Sequence, residues 1–200
     1  PLFFNQDNRK DMPSCGTLVG RYEPCKQYVG GIKGAFFIPF EFANTIVTDG
    51  TGLITNINNG ASPAVDVTGY FWELKGLSTL ETTITASRDN GTTMYESIFT
   101  LSFKPSGLTP AAGDLDMDSI QTLSKGRWQI VIWDRNDQFW LIGQTLGCDA
   151  NGGSSSWGVQ MGDARLNTIT FSSQEKTPPS PIDADSYAEL GNVISISTAP

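Results

Sequence analysis

The 200 residues of this chain include no histidine, which leaves carboxylates as the first candidates for any acid–base chemistry. Without imidazole there is no Ser-His-Asp or Cys-His arrangement and no His-containing metal site. What remains is the paired-acid chemistry of glycoside hydrolysis, which needs two carboxyl groups at a set separation. Glu81 and Glu96 fall on the same face of one hairpin but are offset rather than opposed, and cross-strand acids on a wet face are ordinarily just solvated. Asp114, Asp116 and Asp118 alternate like the acids of a calcium loop, yet the segment lacks the glycine and the distal Glu such a loop needs. The first turn of a helix, where the dipole favours acids, accounts for them better. Gly147-Cys-Asp-Ala-Asn-Gly-Gly153 is glycine-rich but has neither a P-loop lysine nor Rossmann spacing.

The remaining reactive and aromatic residues are no more convergent. Cys15, Cys25 and Cys148 match no zinc or redox spacing. An odd count with no signal peptide points to reduced, buried thiols made in a cytosol, with a Cys15–Cys25 bridge as the alternative. Of five tryptophans, Trp72, Trp128, Trp133 and Trp140 sit inside strand runs, where aromatic rings fill cores or interfaces. Only Trp157 lies in a loop, where it could offer a sugar a flat surface. The expectation is a protein that is not an enzyme and takes no cofactor and no metal.

The elements that position these residues are mostly strands. Twenty-one glycines, abundant Thr, Ser and Asn, and only 17% charged residues favour strands and turns. A chain of this length buries roughly 70% of its unfolded surface, enough for one core without staples. No apolar run reaches the length of a membrane span. The net charge of −8 argues against a surface that grips DNA, since phosphate affinity comes from clustered Lys and Arg.

Along the chain, residues 1–30 form an N-terminal arm without sustained period, and 31–176 form the folded domain. Gly34–Phe42 is a strand, and 43–68 a long projecting loop around a weak strand near Leu53–Ile57. Tyr70–Leu74 alternates as a strand. Thr79–Arg88 and Thr93–Phe103 make a hairpin, for which Asn90-Gly91 favours a two-residue turn. That turn sets Leu80 opposite Leu101, Thr82 opposite Phe99 and Ala86 opposite Tyr95. On the other face Glu81 pairs with Thr100, Thr83 with Ile98, Thr85 with Glu96 and Ser87 with Met94, so one face is largely apolar and the other largely polar. A single short helix follows, capped by Asp114 and ended by Gly126, with Leu115, Ile120 and Leu123 as its buried stripe. Arg127–Trp133 and Gln138–Gly143 form a second hairpin, apolar on both faces, with Trp133, Trp140 and Ile142 as candidate subunit-interface residues. Cys148–Asp163 is a Gly/Ser loop, Ala164–Ser172 a last alternating strand, and 177–200 a weakly patterned C-terminal tail.

Several strings recur in a suggestive order: Ile32-Lys-Gly-Ala-Phe-Phe-Ile38, Asn90-Gly-Thr-Thr93 with Glu96, Leu123-Ser-Lys-Gly-Arg-Trp128, Asp137-Gln-Phe-Trp-Leu-Ile-Gly143 and Met161-Gly-Asp163. Their order and spacing over residues 25–176 resemble tailed-bacteriophage tail tube proteins and related head-to-tail connector ring proteins. The resemblance implies a mainly β fold, a β-sandwich or partial barrel with one short flanking helix and extended arms. It also implies a virion structural protein, made in the host cytoplasm and placed in the tail or connector. Six copies would join inner sheets into a barrel that passes the genome without binding it specifically. The partners would be copies of itself, adjoining tail or connector proteins, and viral DNA.

The residue patterns fit that expectation. A hairpin with one wet face suits the wall of a channel, which makes Glu81, Thr83, Thr85, Ser87, Glu96 and Thr100 the candidate lumen-facing set. Six subunits each giving four strands tilted about 40° would make a barrel roughly 48 Å across the backbone. The alternative is a carbohydrate- or receptor-binding β module of a tail fibre or adhesin. Pure protein is expected to hydrolyse no glycan or peptide; turnover abolished by a single Asp or Glu substitution would overturn this.

Overall fold

The computed structural model describes residues 29–74, 77–87, 89, 91–104, 116–158, 160 and 163–197. Nearly all of the expected N-terminal arm lies outside them, as do Cys15, Cys25, Asn90, Asp114, Leu115 and Met161. The chain is mainly β: β1 (Ile32–Pro39), β2 (Thr45–Thr48), β3 (Ile54–Asn58), β4 (Thr68–Glu73), β5 (Thr79–Ser87), β6 (Thr92–Phe103), α1 (Asp116–Lys125), β7 (Arg127–Asp134), β8 (Phe139–Ile142), β9 (Cys148–Ser156), β10 (Leu166–Glu175), β11 (Ser180–Pro181), α2 (Tyr187–Leu190) and β12 (Ser195–Ser197). Ten strands make one sheet with the path β12-β4-β1-β7-β9-β10-β6-β5, and β8 joins β7 to β11 beside it. β2 and β3 form a separate ribbon.

β1 and β7 occupy the middle of the molecule. Their sequences, IKGAFFIP and RWQIVIWD, run apolar without alternation because both faces are covered. Ala35, Phe37, Ile130 and Ile132 point to one side and meet Phe99, Leu101, Ile169 and Phe171 of β6 and β10, with Leu123 of α1. The sheet thus folds back on itself. The bend lies where β7 hands over to β9 through only two paired positions, Arg127↔Asp149 and Trp128↔Cys148. Phe36, Ile38 and Val131 point the other way, into a second core with Ile54, Ile57, Leu190 and Ile194. Gly34 is required on β1, since a Cβ there would lie 2.6 Å from the Phe71 ring.

That second core corrects two expectations. The tail from residue 177 is not an appended segment: β11 pairs β8, β12 pairs β4 in parallel, and Ile182, Leu190, Val193 and Ile194 are buried. Its apolar residues are irregularly spaced because they belong to a bridge, a short helix and a two-sided turn, so no period marks them. Ser186 caps α2 by accepting from the Glu189 N–H, which makes a second helix where one was expected. Likewise 43–68 is no simple projection. Ile54 and Ile57 are fully buried, and only the β2 side of the ribbon is exposed. Asp49 closes that ribbon by accepting from the Thr51 hydroxyl and from the Thr51 and Leu53 N–H groups, bonds that hold its carboxyl below the usual range.

Two further expectations change at the hairpin and the Gly/Ser segment. Leu80 pairs with Phe99 and Thr82 with Ser97, two residues from the register that a turn at Asn90-Gly91 sets. Pairing stops at Ser87↔Thr92, leaving 88–91 as the connection, with Gly91 in the left-handed region at φ 60°. The third strand fixes this register, because it aligns Leu80, Phe99 and Phe171 in one apolar row. A slip of two keeps every side chain on its expected face. Cys148–Asp163 is a strand for most of its length, since β9 pairs with β10 from Asp149 to Ser156.

Leu190→Ala is expected to cost about 2–5 kcal/mol in urea unfolding, the usual range for emptying a fully buried Leu site. An unchanged midpoint would show the C-terminal segment to be dispensable. Cys148 supplies a pH test, because burial pushes its thiol up to about 12. The folded chain therefore keeps a proton that the unfolded chain releases near pH 9. Stability should be flat in this respect below pH 9 and fall above it, by up to about 1.4 kcal/mol per pH unit. Between pH 8 and 10.5 the wild type should lose more stability than Cys148→Ala; equal losses would refute the assignment.

Candidate functional site

The half of the sheet that folds over the core, β9-β10-β6-β5, has one dry face and one wet face. On the dry face, cross-strand rows run Leu80–Phe99–Phe171–Ala150 and Leu101–Ile169–Gly153. On the wet face they run Glu81–Ile98–Ser172–Asp149, Thr83–Glu96–Gln174, Thr79–Thr100–Thr170 and Ser102–Thr168–Ser154. Hydroxyl side chains dominate these rows, and β-branched threonine suits a pleated surface with no layer above it. The sequences of all four strands contain no Lys or Arg. Cations enter only at the rim, where Arg127 donates through Nε and Nη2 to both Asp149 oxygens at 3.1 Å.

Each residue of the expected lumen-facing set lies on this wet face. Glu81, Thr83 and Thr85 are exposed, whereas Ser87, Glu96 and Thr100 are half-buried. None packs in the core. The contribution of β9 and β10 was not foreseen. The alternation of β10 was legible, but its pairing with β6 over nine positions was not, and the Gly/Ser composition of β9 concealed a strand.

The strands also differ in direction in a way that matters at the edges. Each neighbouring pair is antiparallel, so β5 and β9, at the two ends of this four-strand unit, run in opposite directions. β5 is the last strand of the path. β9 meets β7 only at Cys148 and Asp149, so Asn151–Ser156 has no strand on its outer side among the described residues.

The expected interface residues fare differently. Ile142 is 2% exposed inside the first core, because β8 lies between β7 and β11, and it has no surface to offer a second subunit. Trp133 is half-buried and engaged within its own chain. It stacks on Phe139 at 5.6 Å, lies under Lys33 Nζ and donates from Nε1 to Asp137 at 3.0 Å. Lys33 and then Trp133 hold the Asp137 carboxyl below the usual range, by hydrogen bonds. Trp140 is half-buried beside a groove described below. Trp157 is 63% exposed, but the Arg165 guanidinium sits 3.5 Å over its ring and occupies a face that a sugar would need. Cys148, with its thiol pushed up, is no nucleophile at neutral pH.

Comparison of the chain with protein-family models, with curated proteins and with solved structures gave no match in any of the three.

Proposed function

We propose that this protein is a virion structural subunit that closes into a ring or tube, with the β9-β10-β6-β5 wet face lining a conduit for the genome. One observation supports this reading: an all-antiparallel four-strand unit, polar on one face, whose edge strands β5 and Asn151–Ser156 of β9 pair with no further strand among the described residues and run in opposite directions. Rotation about an axis brings β5 of one copy beside β9 of the next as an antiparallel pair. Repetition closes a barrel and pairs both edges of this four-strand unit, which removes the hazard that those edges present in an isolated sheet. The same rotation keeps every wet face on the inside.

The electrostatics favour passage over binding. Nucleic-acid affinity scales with the number of phosphates neutralised by Lys and Arg. A wall of threonine and serine hydroxyls with Glu81 and Glu96 neutralises none, and the chain's −8 charge is multiplied in a ring. DNA would be repelled weakly from all sides and slide. This is the behaviour implied by the likeness to tail tube and connector proteins.

Disulfide trapping tests the β5–β9 contact. Ser154→Cys is combined in turn with a cysteine at Glu81, Thr83 or Thr85, all on the wet face. Within one chain these positions are separated by two strands, about 14 Å, whereas a disulfide needs Cα atoms within about 7 Å. At least one pair should therefore give, on oxidation, a ladder of chain multiples ending at a closed ring in negative stain. Monomers across the whole panel would sink the proposal.

A further inference from the structure

A groove opens under the β5 edge, between the dry side of the hairpin and the central layer. It encloses about 640 Å³, within the roughly 300–1,000 Å³ usual for ligand sites. Leu80, Ile84 and Tyr95 form its roof, and Ile132, Trp140 and Pro179 its floor and far wall. Ile84 is 64% exposed there. At the opposite edge of the same four-strand unit stands a second uncovered apolar residue, Trp157, one position past the end of β9 and 63% exposed. In the continued β9–β10 register it lies opposite Arg165, whose guanidinium sits 3.5 Å over the indole. Arg165 Nε is buried and makes no hydrogen bond. The pair is unfinished within its own chain.

We infer that Trp157 of one copy seats in the groove under β5 of the next and brings Arg165 to its mouth. This rests on the β5–β9 contact for its geometry and adds the element that fixes the register of that contact. Antiparallel partners keep a constant sum of residue numbers, between two copies as within one. Pairing Ser154 with Glu81, Thr83 or Thr85 of the next copy therefore sets Trp157 opposite Ser78, Leu80 or Thr82, and all three line the groove. The side is right as well. Ser155 lies opposite Asn167, which is 2% exposed on the dry side, and Trp157 follows at the same parity. Joining wet face to wet face thus keeps Trp157 on the groove side.

Chemistry selects the same occupant. The groove is walled by apolar and aromatic side chains, and Trp and Arg are enriched where the energy of an interface concentrates. Asp134 in the groove lining is opposite in sign to Arg165. Ring and groove lie on opposite edges of every copy, so each copy inserts one indole and receives one, and the series closes when the strands do. The strands need such a device. β9 reads Cys-Asp-Ala-Asn-Gly-Gly-Ser-Ser-Ser, and Gly-rich polar strands specify register weakly. A single ring in a single groove removes that freedom.

The test places the photo-crosslinker p-benzoylphenylalanine at position 157 of the full chain. After illumination, adducts are mapped by mass spectrometry over a dilution series. Adducts at Leu80, Ile84, Tyr95 or Trp140 are expected in products of two-chain mass, at a yield that falls on dilution. Two-chain adducts confined to other residues, groove adducts only in one-chain products, or no two-chain adducts would each overturn the inference. The Ser154 disulfide ladder separates the two readings. A ladder without groove adducts removes this inference alone, groove adducts without a ladder remove the strand pairing alone, and the absence of both removes both. A second measurement compares Trp157→Ala with Thr82→Trp, which fills the groove from its own chain. Each should raise the protein concentration needed for half-assembly by about tenfold or more. The double variant should be no worse than either single one, because both remove one contact. An unchanged threshold in either, or additive effects, would also overturn the assignment.

Discussion

The pairing of β1 with β7, buried on both faces, is the constraint on which the other elements depend. A strand pair with Phe37 and Ile130 on one side and Phe36 and Val131 on the other cannot be satisfied by a simple two-layer sandwich. It requires a cover on each face, and the chain supplies them by different means. The folded-over half-sheet and α1 close one side; the β3 ribbon and the C-terminal segment close the other. Polar groups in this layer must then find partners. Gln129, 1% exposed, accepts from Asn44 Nδ2 and donates to the Gln144 carbonyl, both at 3.1 Å. Trp128 donates its indole N–H to the Leu123 carbonyl at 3.0 Å and so ties the end of α1 to β7. Both arrangements follow from the high cost of leaving a buried donor or acceptor unmatched.

The wet face of the other half-sheet is a consequence of that demand. Because β5, β6, β9 and β10 serve as the cover for β1 and β7, only one of their faces is committed, and the other is left to water. The alternation is clean in β10, whose burial changes at every residue along much of its length, and in the middle of β6, whereas β5 and β9, at the ends of the unit, are exposed over most of their length. A sheet with a committed back and an uncommitted front can acquire a polar surface without loss of stability. The hydroxyl rows are therefore compatible with the fold at little cost, and the candidate site is built on rigid strands rather than loops.

What the sequence allowed to be read, and what it did not, divides along the same line. Strands that alternate, β4, β5 and β6, were legible within a residue or two and β10 within three, as was α1 from Ile120 and Leu123 to Gly126. The two-sided strands β1 and β7 were legible as apolar runs. The wet face was assigned to the right residues of β5 and β6 even though the pairing slipped by two, because an even slip preserves parity. β9 was illegible: its Asn-Gly-Gly-Ser-Ser-Ser run has turn chemistry, and only the ladder to β10 makes it extended. The C-terminal segment failed for another reason. Leu190, Val193 and Ile194 satisfy a core whose geometry is set by distant strands, so neither the 3.6 nor the 2.0 period records them. Ile142 was placed at a surface because β8 is apolar on both faces, and sequence alone does not distinguish a strand covered by its own chain from one covered by a partner.

The scarcity of cations in the folded-over half-sheet has a consequence for how the molecule can be taken apart. Trypsin cleaves after Lys and Arg, and the chain offers it nothing between Arg88 and Lys104 or between Arg135 and Arg165. The strands β6, β8 and β9 are therefore spared whether folded or unfolded, and β10 carries no site before Lys176. A tryptic digest of the denatured chain cuts between the strands of the candidate site, at Arg88, Arg165 and Lys176, and leaves each strand whole. This class of protease can therefore separate the strands of the wet face from one another but cannot shorten them.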